Sequence, residues 1–116
     1  MHDPTEGGLT GGLLELAAAG NVGLRVHAER IPVLPETRAL AERLKFDPMA
    51  LIASGSLLIA VAPREADKVI RALKRRKIAV AHIGKAVGKS AGVKIVERGR
   101  ERRLCYPNQD EIARLI

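Results

Sequence analysis

The sequence of 116 residues is poor in aromatic side chains, has a single cysteine and contains no long apolar run. Phe46 and Tyr106 are the only aromatic residues, so stacking on nucleobases is poorly supported. Cys105 lacks a partner for an internal disulfide, which favours a reducing compartment. The longest apolar run, residues 57–62, is much shorter than the roughly 18 residues that a membrane-spanning helix needs. The N-terminus is polar and lacks a secretion signal, so we expect a cytoplasmic protein without a membrane span.

Side-chain amides are also scarce in this chain. Asn21, Asn108 and Gln109 are the only ones, while 28% of the residues are charged. Few thermolabile amides together with many charges are typical of thermophilic proteins. The composition therefore favours a thermophilic source.

The length predicts one domain, residues 1–116, with one hydrophobic core. Asp3 as N-cap and Pro4 as first helical residue predict where the first helix begins, and Asn108 is the expected cap of the last helix. Apolar spacing predicts helix, strand, helix, helix, strand, helix, strand, hairpin and helix in turn. These elements are expected over residues 4–20, 22–27, 36–45, 49–54, 56–62, 64–77, 78–83, 93–106 and 109–116.

The strand expected at residues 56–62 is apolar on both faces, which is typical of a central strand covered on both sides. Helical and strand periods alternate along the whole chain without a linker or an internal repeat. The sequence therefore predicts the α+β class, with a mixed sheet and about five strands and five helices.

The net charge of +7 is unevenly distributed along the chain. Residues 1–63 carry a net charge of −2 and residues 64–116 a net charge of +9. Much of the excess lies at the expected end of the helix at 64–77 and around the expected hairpin turn at Arg98 and Gly99. Charges at such positions are usually solvated, which is the favoured interpretation. The alternative function is a basic module that binds a polyanion or nucleic acid without catalysis.

The most informative stretch is MHDPTEGGLTGG at residues 1–12. Each glycine in the first turns of a helix lowers the stability of that helix by about 1 kcal/mol relative to alanine, so another interaction should offset this loss. One hypothesis is that Gly7 and Gly8 let an anion reach the unpaired N–H groups of the helix N-terminus, beside Asp3 and Thr5. The other hypothesis is that the acidic residues only cap the helix and the glycines permit tight packing on the sheet.

Several stretches occur in the order seen in a known family. They are HDPTEGGL at residues 2–9, RIPVLPET at 30–37, DPMALIASGSLLIAV at 47–61 and AHIGKAV at 81–87. On these motifs the chain resembles the C-terminal domain of the aminoimidazole ribonucleotide (AIR) synthetase, or PurM-like, superfamily, and in particular its AIR synthase-related and HypE-like branch. The resemblance covers nearly the whole chain.

This resemblance implies an ATP-dependent enzyme of two domains. The N-terminal domain, absent from this chain, binds ATP and Mg²⁺ and dimerises, while the C-terminal domain closes the active-site cleft. The γ-phosphoryl group of ATP passes to an oxygen of the substrate, which makes that oxygen a leaving group. Phosphoryl transfer depends mainly on positioning and charge neutralisation, so this chain alone is expected to be inactive and to hold no cofactor.

Carried over residue by residue, the resemblance assigns site residues but no metal ligand. The expected catalytic residues are Asp3 and Thr5, and the expected substrate-binding residues are His2, Gly7, Gly8, Ser54, Gly55 and Ser56. The expected partners are the N-terminal domain of the same protein and a second copy of the chain. A homodimer contact is expected at an apolar surface around the helix segment 7–14. Neither a membrane nor a nucleic acid is an expected partner.

One feature departs from the family pattern. HypE-like proteins end in a tail whose terminal cysteine carries a carbamoyl group, whereas this chain has Ile116 at its end and its cysteine at position 105. Unless a tail is missing, dehydration of a cysteine-bound carbamoyl group is not supported. Cys105 is expected to be a buried structural residue in a strand.

Overall fold

The computed structural model describes all residues from 1 to 116, and its centre is a four-stranded mixed sheet. The strands are β1 (Gly23–His27), β2 (Gly84–Val87), β3 (Val93–Glu97) and β4 (Arg100–Arg103). Their order across the sheet is β2-β1-β3-β4, with β1 parallel to β3 and the other two pairs antiparallel. The predicted α+β class with a mixed sheet is confirmed.

The helices are α1 (Gly8–Gly20), α2 (Pro35–Leu44), α3 (Pro63–Arg75) and α4 (Glu111–Leu115). Single 3₁₀ turns lie at Ala28–Arg30, Pro48–Ala50 and Lys89–Ala91. A proline opens α2 and another opens α3, because its fixed φ suits the first helical position. None of the helices combines the length and the hydropathy that a membrane span requires.

The hydrophobic core lies between α1 and one face of the sheet. Leu24 pairs with Val93 and Val26 with Ile95, so these four side chains share the face that α1 covers. Ile95 is fully buried. The remaining buried members of the core cluster are Leu13, Ala17, Leu58 and Leu104. The alternation of apolar and charged residues in β1 thus places its apolar half on the helix.

The hairpin between β3 and β4 forms where the sequence predicts it. Arg98 and Gly99 both have positive φ, 49° and 75°, the combination that a two-residue type I′ turn needs. Glu97 consequently pairs with Arg100 and Lys94 with Arg103. Cys105 follows β4 and is exposed, so the prediction of a buried strand cysteine is wrong.

The first helix begins four residues later than Pro4. Gly7 is its N-cap, with φ 79°, and Gly8 has φ 63°, so the chain turns through two left-handed residues before the helix starts. Asp3 does not cap it, and Pro4 is instead buried against Gly12. The left-handed conformation explains why glycine stands at positions 7 and 8, because other residues adopt it only with strain.

Two smaller predictions also differ from the structure. The helix expected at residues 49–54 is only the 3₁₀ turn Pro48–Ala50, whose N-cap Asp47 accepts a hydrogen bond from the Met49 amide at 2.9 Å. The last helix begins at Glu111, and Asp110 rather than Asn108 caps it.

The largest correction concerns the predicted central strand at residues 56–62. The structure forms only an isolated bridge there, between Leu58 and His2. Leu57, Ile59 and Val61 are 54%, 38% and 42% exposed. The segment 78–83 also forms no strand, since β2 begins at Gly84. The apolar pattern predicts burial within one sheet, but neither segment has a paired strand inside this chain.

Residues 59–82, which include α3, form what we call the α3 arm. No residue of the arm is buried. The apolar stripe of α3, at Ala66, Val69, Ile70 and Leu73, is only half-buried. The arm therefore lies outside the core that α1 and the sheet share.

Candidate functional site

The N-terminal stretch and the loop before the α3 arm meet through backbone hydrogen bonds. The amide of His2 donates to the carbonyl of Leu58 and the amide of Leu58 donates back, both at 2.8 Å. The carbonyl of Thr5 accepts from the amides of Gly8 at 3.1 Å and Ala53 at 3.3 Å. Residues 2–8 therefore lie beside residues 49–58, although about 50 positions separate them in the sequence.

Gly8 fixes this contact by a close approach of backbones. A Cβ atom at Gly8 would lie 2.4 Å from the carbonyl oxygen of Met49 and 2.5 Å from that of Leu51. Only a residue without a side chain fits there without a shift of the 3₁₀ turn. This gives Gly8 a packing role, but against residues 49–51 rather than against the sheet as the second hypothesis expects, and its binding of substrate stays a prediction.

Gly7 presents its amide to a carboxylate from the other end of the chain. The amide of Gly7 donates to Oδ2 of Asp110 at 2.7 Å, and that of Ile52 donates to Oδ1 at 3.1 Å. Oδ1 also accepts from the amide of Ile112 at 2.9 Å, which caps α4. The carboxylate of Asp110 thus accepts hydrogen bonds from the start of α1, from the loop at residue 52 and from the start of α4.

Sequence reasoning missed Asp110. Its ties to the N-terminal stretch span 103 positions, and no local pattern encodes a contact of that range. The one available signal was the preference of aspartate for N-cap positions, which competed with that of Asn108. The carboxylate of Asp110, a side chain of the same protein, lies at the N-terminus of α1, and the binding of an external anion there stays a prediction.

His2 is held by Glu15 on α1. Its Nε2 hydrogen-bonds to Oε2 of Glu15, and both side chains are partly exposed. Together with the backbone bridge to Leu58, this contact fixes the direction of the imidazole. The binding of substrate by His2 stays a prediction.

The remaining predicted site residues form an open polar surface. Asp3, Thr5, Ser54 and Ser56 are exposed, and none of their side chains makes a hydrogen bond within the chain. Gly55 has φ 93° and no heavy atom within 4 Å of an added Cβ. The hydrogen bond between Thr5 and Ala53 brings the two exposed stretches next to each other. Their hydroxyls and carboxylate are free to contact a ligand, and nothing in this chain covers them.

A magnesium site is not built from residues of this chain. No three His, Cys, Asp or Glu side chains converge in a way that could hold a metal ion. Asp3 is a single exposed carboxylate, and Mg²⁺ in phosphoryl-transfer sites usually takes one or two carboxylates together with phosphates and waters. The residues present therefore form no complete metal site by themselves.

The apolar surface expected around residues 7–14 is not found. Leu13 is buried, and Leu9 and Leu14 pack partly buried against the core. Large exposed apolar side chains lie instead at the N-terminus, on and just before α2, on the segments that flank α3 and along residues 106–116. The homodimer contact expected at residues 7–14 thus lacks the exposed apolar surface from which it was argued, and both its location and the homodimer itself stay predictions.

Comparison with known proteins gives a consistent result. The family model for the AIR synthase related protein, C-terminal domain, matches residues 1–97. Carbamoyl dehydratase HypE of Rhizobium leguminosarum bv. viciae is 42% identical over 73 residues, which are 63% of this chain and 21% of that protein. The chain is similar to the crystal structure of E. coli HypE, with a TM-score of 0.84, 32% identity and coverage of 98% of this chain and 36% of that one.

A structure of the hydrogenase maturation protein HypE in complex with ATP is also similar. Its TM-score is 0.82 at 26% identity, and the match covers 93% of this chain and 35% of that chain. The chain thus spans about a fifth to a third of the length of the proteins it matches.

Proposed function

The chain belongs to the family of the AIR synthase related protein C-terminal domain, and we propose that it is the substrate-side domain of a longer ATP-dependent, HypE-like protein. In this role residues 1–116 act as one domain that closes an active-site cleft against an N-terminal ATP-binding domain. There the γ-phosphoryl group of ATP passes to an oxygen of the substrate.

The observation that carries this proposal is the junction between residues 2–8 and 49–58. It brings the free side chains of Asp3 and Thr5 next to the loop with Ser54 and Ser56 through the Thr5–Ala53 hydrogen bond. A carboxylate and three hydroxyls on an open surface suit a cleft wall, because an opposing domain has to exclude water before they act on a phosphorylated intermediate.

ATP and Mg²⁺ belong mainly to the other domain in this proposal. A similar HypE is described in complex with ATP, whereas this chain lacks a converging ligand set for the ion. The carboxylate of Asp3 and the hydroxyl of Thr5 would position the substrate oxygen. We further propose a cytoplasmic location and dimerisation of the longer protein.

The test uses the full-length protein, with residue numbers as here. Asp3→Asn and Thr5→Val are expected to lower substrate-dependent ATP turnover about a hundredfold each, the usual effect of losing one polar group at a reacting centre. ATP affinity measured by calorimetry should change less than about twofold, because most binding contacts lie elsewhere. Asp67→Asn on α3 and Thr37→Val on α2 are the matched controls and should retain turnover.

Two results would count against the proposal. Turnover of the Asp3 and Thr5 variants equal to that of the controls would remove the two residues from the site. Tight ATP binding together with turnover by the 116-residue chain alone would contradict the assignment of ATP binding to the N-terminal domain.

A further inference from the structure

The sheet face opposite α1 carries a row of positive side chains that crosses all four strands. The registers place Lys85 beside Arg25, Arg25 beside Lys94, and Lys94 beside Arg103. We call these four residues the cationic row. Neighbouring strands lie about 4.8 Å apart, so the row is about 14 Å long.

The row does not serve the stability of the sheet. Like charges directly opposite each other on neighbouring strands destabilise a sheet, and here three such pairs follow one another. One acidic residue lies among them: Glu101 contacts Nζ of Lys94 at 3.1 Å and Nε of Arg25 at 3.4 Å. Lys85 and Arg103 make no ion pair.

The row is open to solvent and partly held in place. The side chains of Arg25 and Lys94 are 48% and 38% exposed, and Lys85 and Arg103 are exposed as well. A Cβ atom at Gly92 would lie 2.8 Å from Nη2 of Arg103, so this guanidinium rests against the backbone at the start of β3. A ligand thus meets three cations, Arg25, Lys94 and Arg103, that contacts within the chain already hold.

We propose that the cationic row is a docking surface for an acidic segment of a partner protein. The carboxylate of Glu101 already lies between the two central cations, which shows that their spacing suits a carboxylate. The two outer cations are free to bind further carboxylates of the same segment. No strand contains Phe, Tyr or Trp, so the face lacks the large stacking platform that single-stranded nucleic acids use.

The test compares two variants of the 116-residue protein with the same net charge. One changes all four residues of the cationic row to Gln, and the other changes Lys74, Arg75, Arg76 and Lys77 at the end of α3 to Gln. The probe is a fluorescein-labelled oligoglutamate peptide, followed by anisotropy at low and at physiological ionic strength. The row variant is expected to bind about tenfold more weakly than wild type and the α3 variant within about twofold, because surface ion pairs act over short range in salt.

A third variant tests the same surface by a gain of binding. Glu101→Gln removes the internal carboxylate that competes for Arg25 and Lys94, so it should bind the peptide several-fold more tightly. This readout stands even if the row variant fails to fold, which circular dichroism would reveal.

The proposal is overturned by any of four results. Two of them are no binding of the peptide by wild type at low salt and equal losses of peptide affinity in the two four-residue variants. The other two are weaker peptide binding by Glu101→Gln than by wild type and binding of oligothymidylate as tight as that of the peptide. The last result would identify the face as a nucleic-acid surface instead.

Discussion

The sheet with α1 and the α3 arm differ in how their apolar residues are covered, although the apolar pattern of each region is equally clear in the sequence. Around the sheet, Leu24 and Ile95 are buried and their strands are paired. In the arm, the amides and carbonyls of residues 59–61 and 79–82 make no backbone hydrogen bond. Apolar periodicity thus predicts that a face will be covered, but not whether the covering group lies in the same chain.

This difference has a physical consequence for the proposed two-domain protein. Unpaired strand-like segments with exposed apolar side chains are unfavourable in water and are sites where another chain can pair. The core of α1 and the sheet needs no such cover. The arm is therefore the part of the molecule whose stability depends most on what surrounds it.

The largest expected contrast between the two regions is in amide hydrogen exchange. The amide of Leu24 donates to the Gly92 carbonyl at 3.0 Å, whereas the amide of Ile59 has no acceptor. The protection factor of Leu24 should exceed that of Ile59 by about a thousandfold or more, since core amides exchange only through global opening. Leu58, whose amide donates to His2 within the same stretch, is the control and should fall between them. Equal protection of Ile59 and Leu58 would show that the arm is covered in solution.

The next contrast is in how far the free energy of unfolding falls when an isoleucine of each region is replaced by alanine. Ile95 is fully buried in the sheet, while Ile59 is 38% exposed in the arm. Ile95→Ala should lower the stability by about 3 to 4 kcal/mol, because it removes buried methylenes and leaves a cavity. Ile59→Ala should lower it by less than about 1 kcal/mol. Urea unfolding gives both values, and similar losses for the two would mean that the arm belongs to the core.

The sequence predicts those parts of the fold whose signals are local. The strand at Gly23–His27, the helices at Pro35–Leu44 and Pro63–Arg75 and the turn at Arg98 and Gly99 follow from alternation, proline position and turn chemistry. The strand expected at 56–62 does not form, because an apolar pattern indicates only that a segment is hydrophobic. Strand pairing also depends on a neighbouring strand, which the pattern does not identify.

The candidate site could be predicted only in part for a related reason. The motif residues were found by resemblance, and the structure places the stretches around Thr5 and Ala53 in contact. The start of α1 was misplaced because Asp3 and Pro4 satisfy the capping pattern, while the left-handed Gly7 and Gly8 determine the actual start. Asp110 was missed because its contacts are long-range.

A smaller effect is expected at the glycines that join the site to the core. Gly8→Ala places a side chain at φ 63° and within 2.5 Å of two carbonyl oxygens, so it should lower the stability by about 2 to 3 kcal/mol. Gly55→Ala meets open space at φ 93° and should lower it by about 1 kcal/mol through backbone strain alone. Thermal unfolding of both variants separates crowding from strain. A Gly8 variant no less stable than the Gly55 variant would refute the close approach to the 3₁₀ turn.

The smallest expected effect is the acid dependence of stability, which again belongs to the sheet rather than to the arm. A hydrogen bond from Lys94 lowers the pKa of Glu101 below its ordinary value, helped by the charges of Lys94 and Arg25. The amide of Arg98, which donates to Oε1 at 2.7 Å, likewise lowers the pKa of Glu29. Because these pKa values are lower in the folded than in the unfolded state, the unfolded chain binds more protons in acid. The stabilisation is complete above the ordinary pKa of 4.5 and is lost as the pH falls through the lower folded values.

Glu101→Gln should therefore make the loss of stability between about pH 5 and pH 3 shallower than in wild type, and salt should reduce the difference because the pair is exposed. The matched control is Glu65→Gln on α3, where the contact with Lys68 is longer, at 3.8 Å, and the lysine is 77% exposed. Such a surface pair contributes little, so this variant should follow the wild-type profile. Urea midpoints measured across this pH range decide the question. A profile of Glu101→Gln that coincides with wild type, or a flattened profile of Glu65→Gln, would show that the carboxylate between Arg25 and Lys94 is not the acid-sensitive group of the sheet.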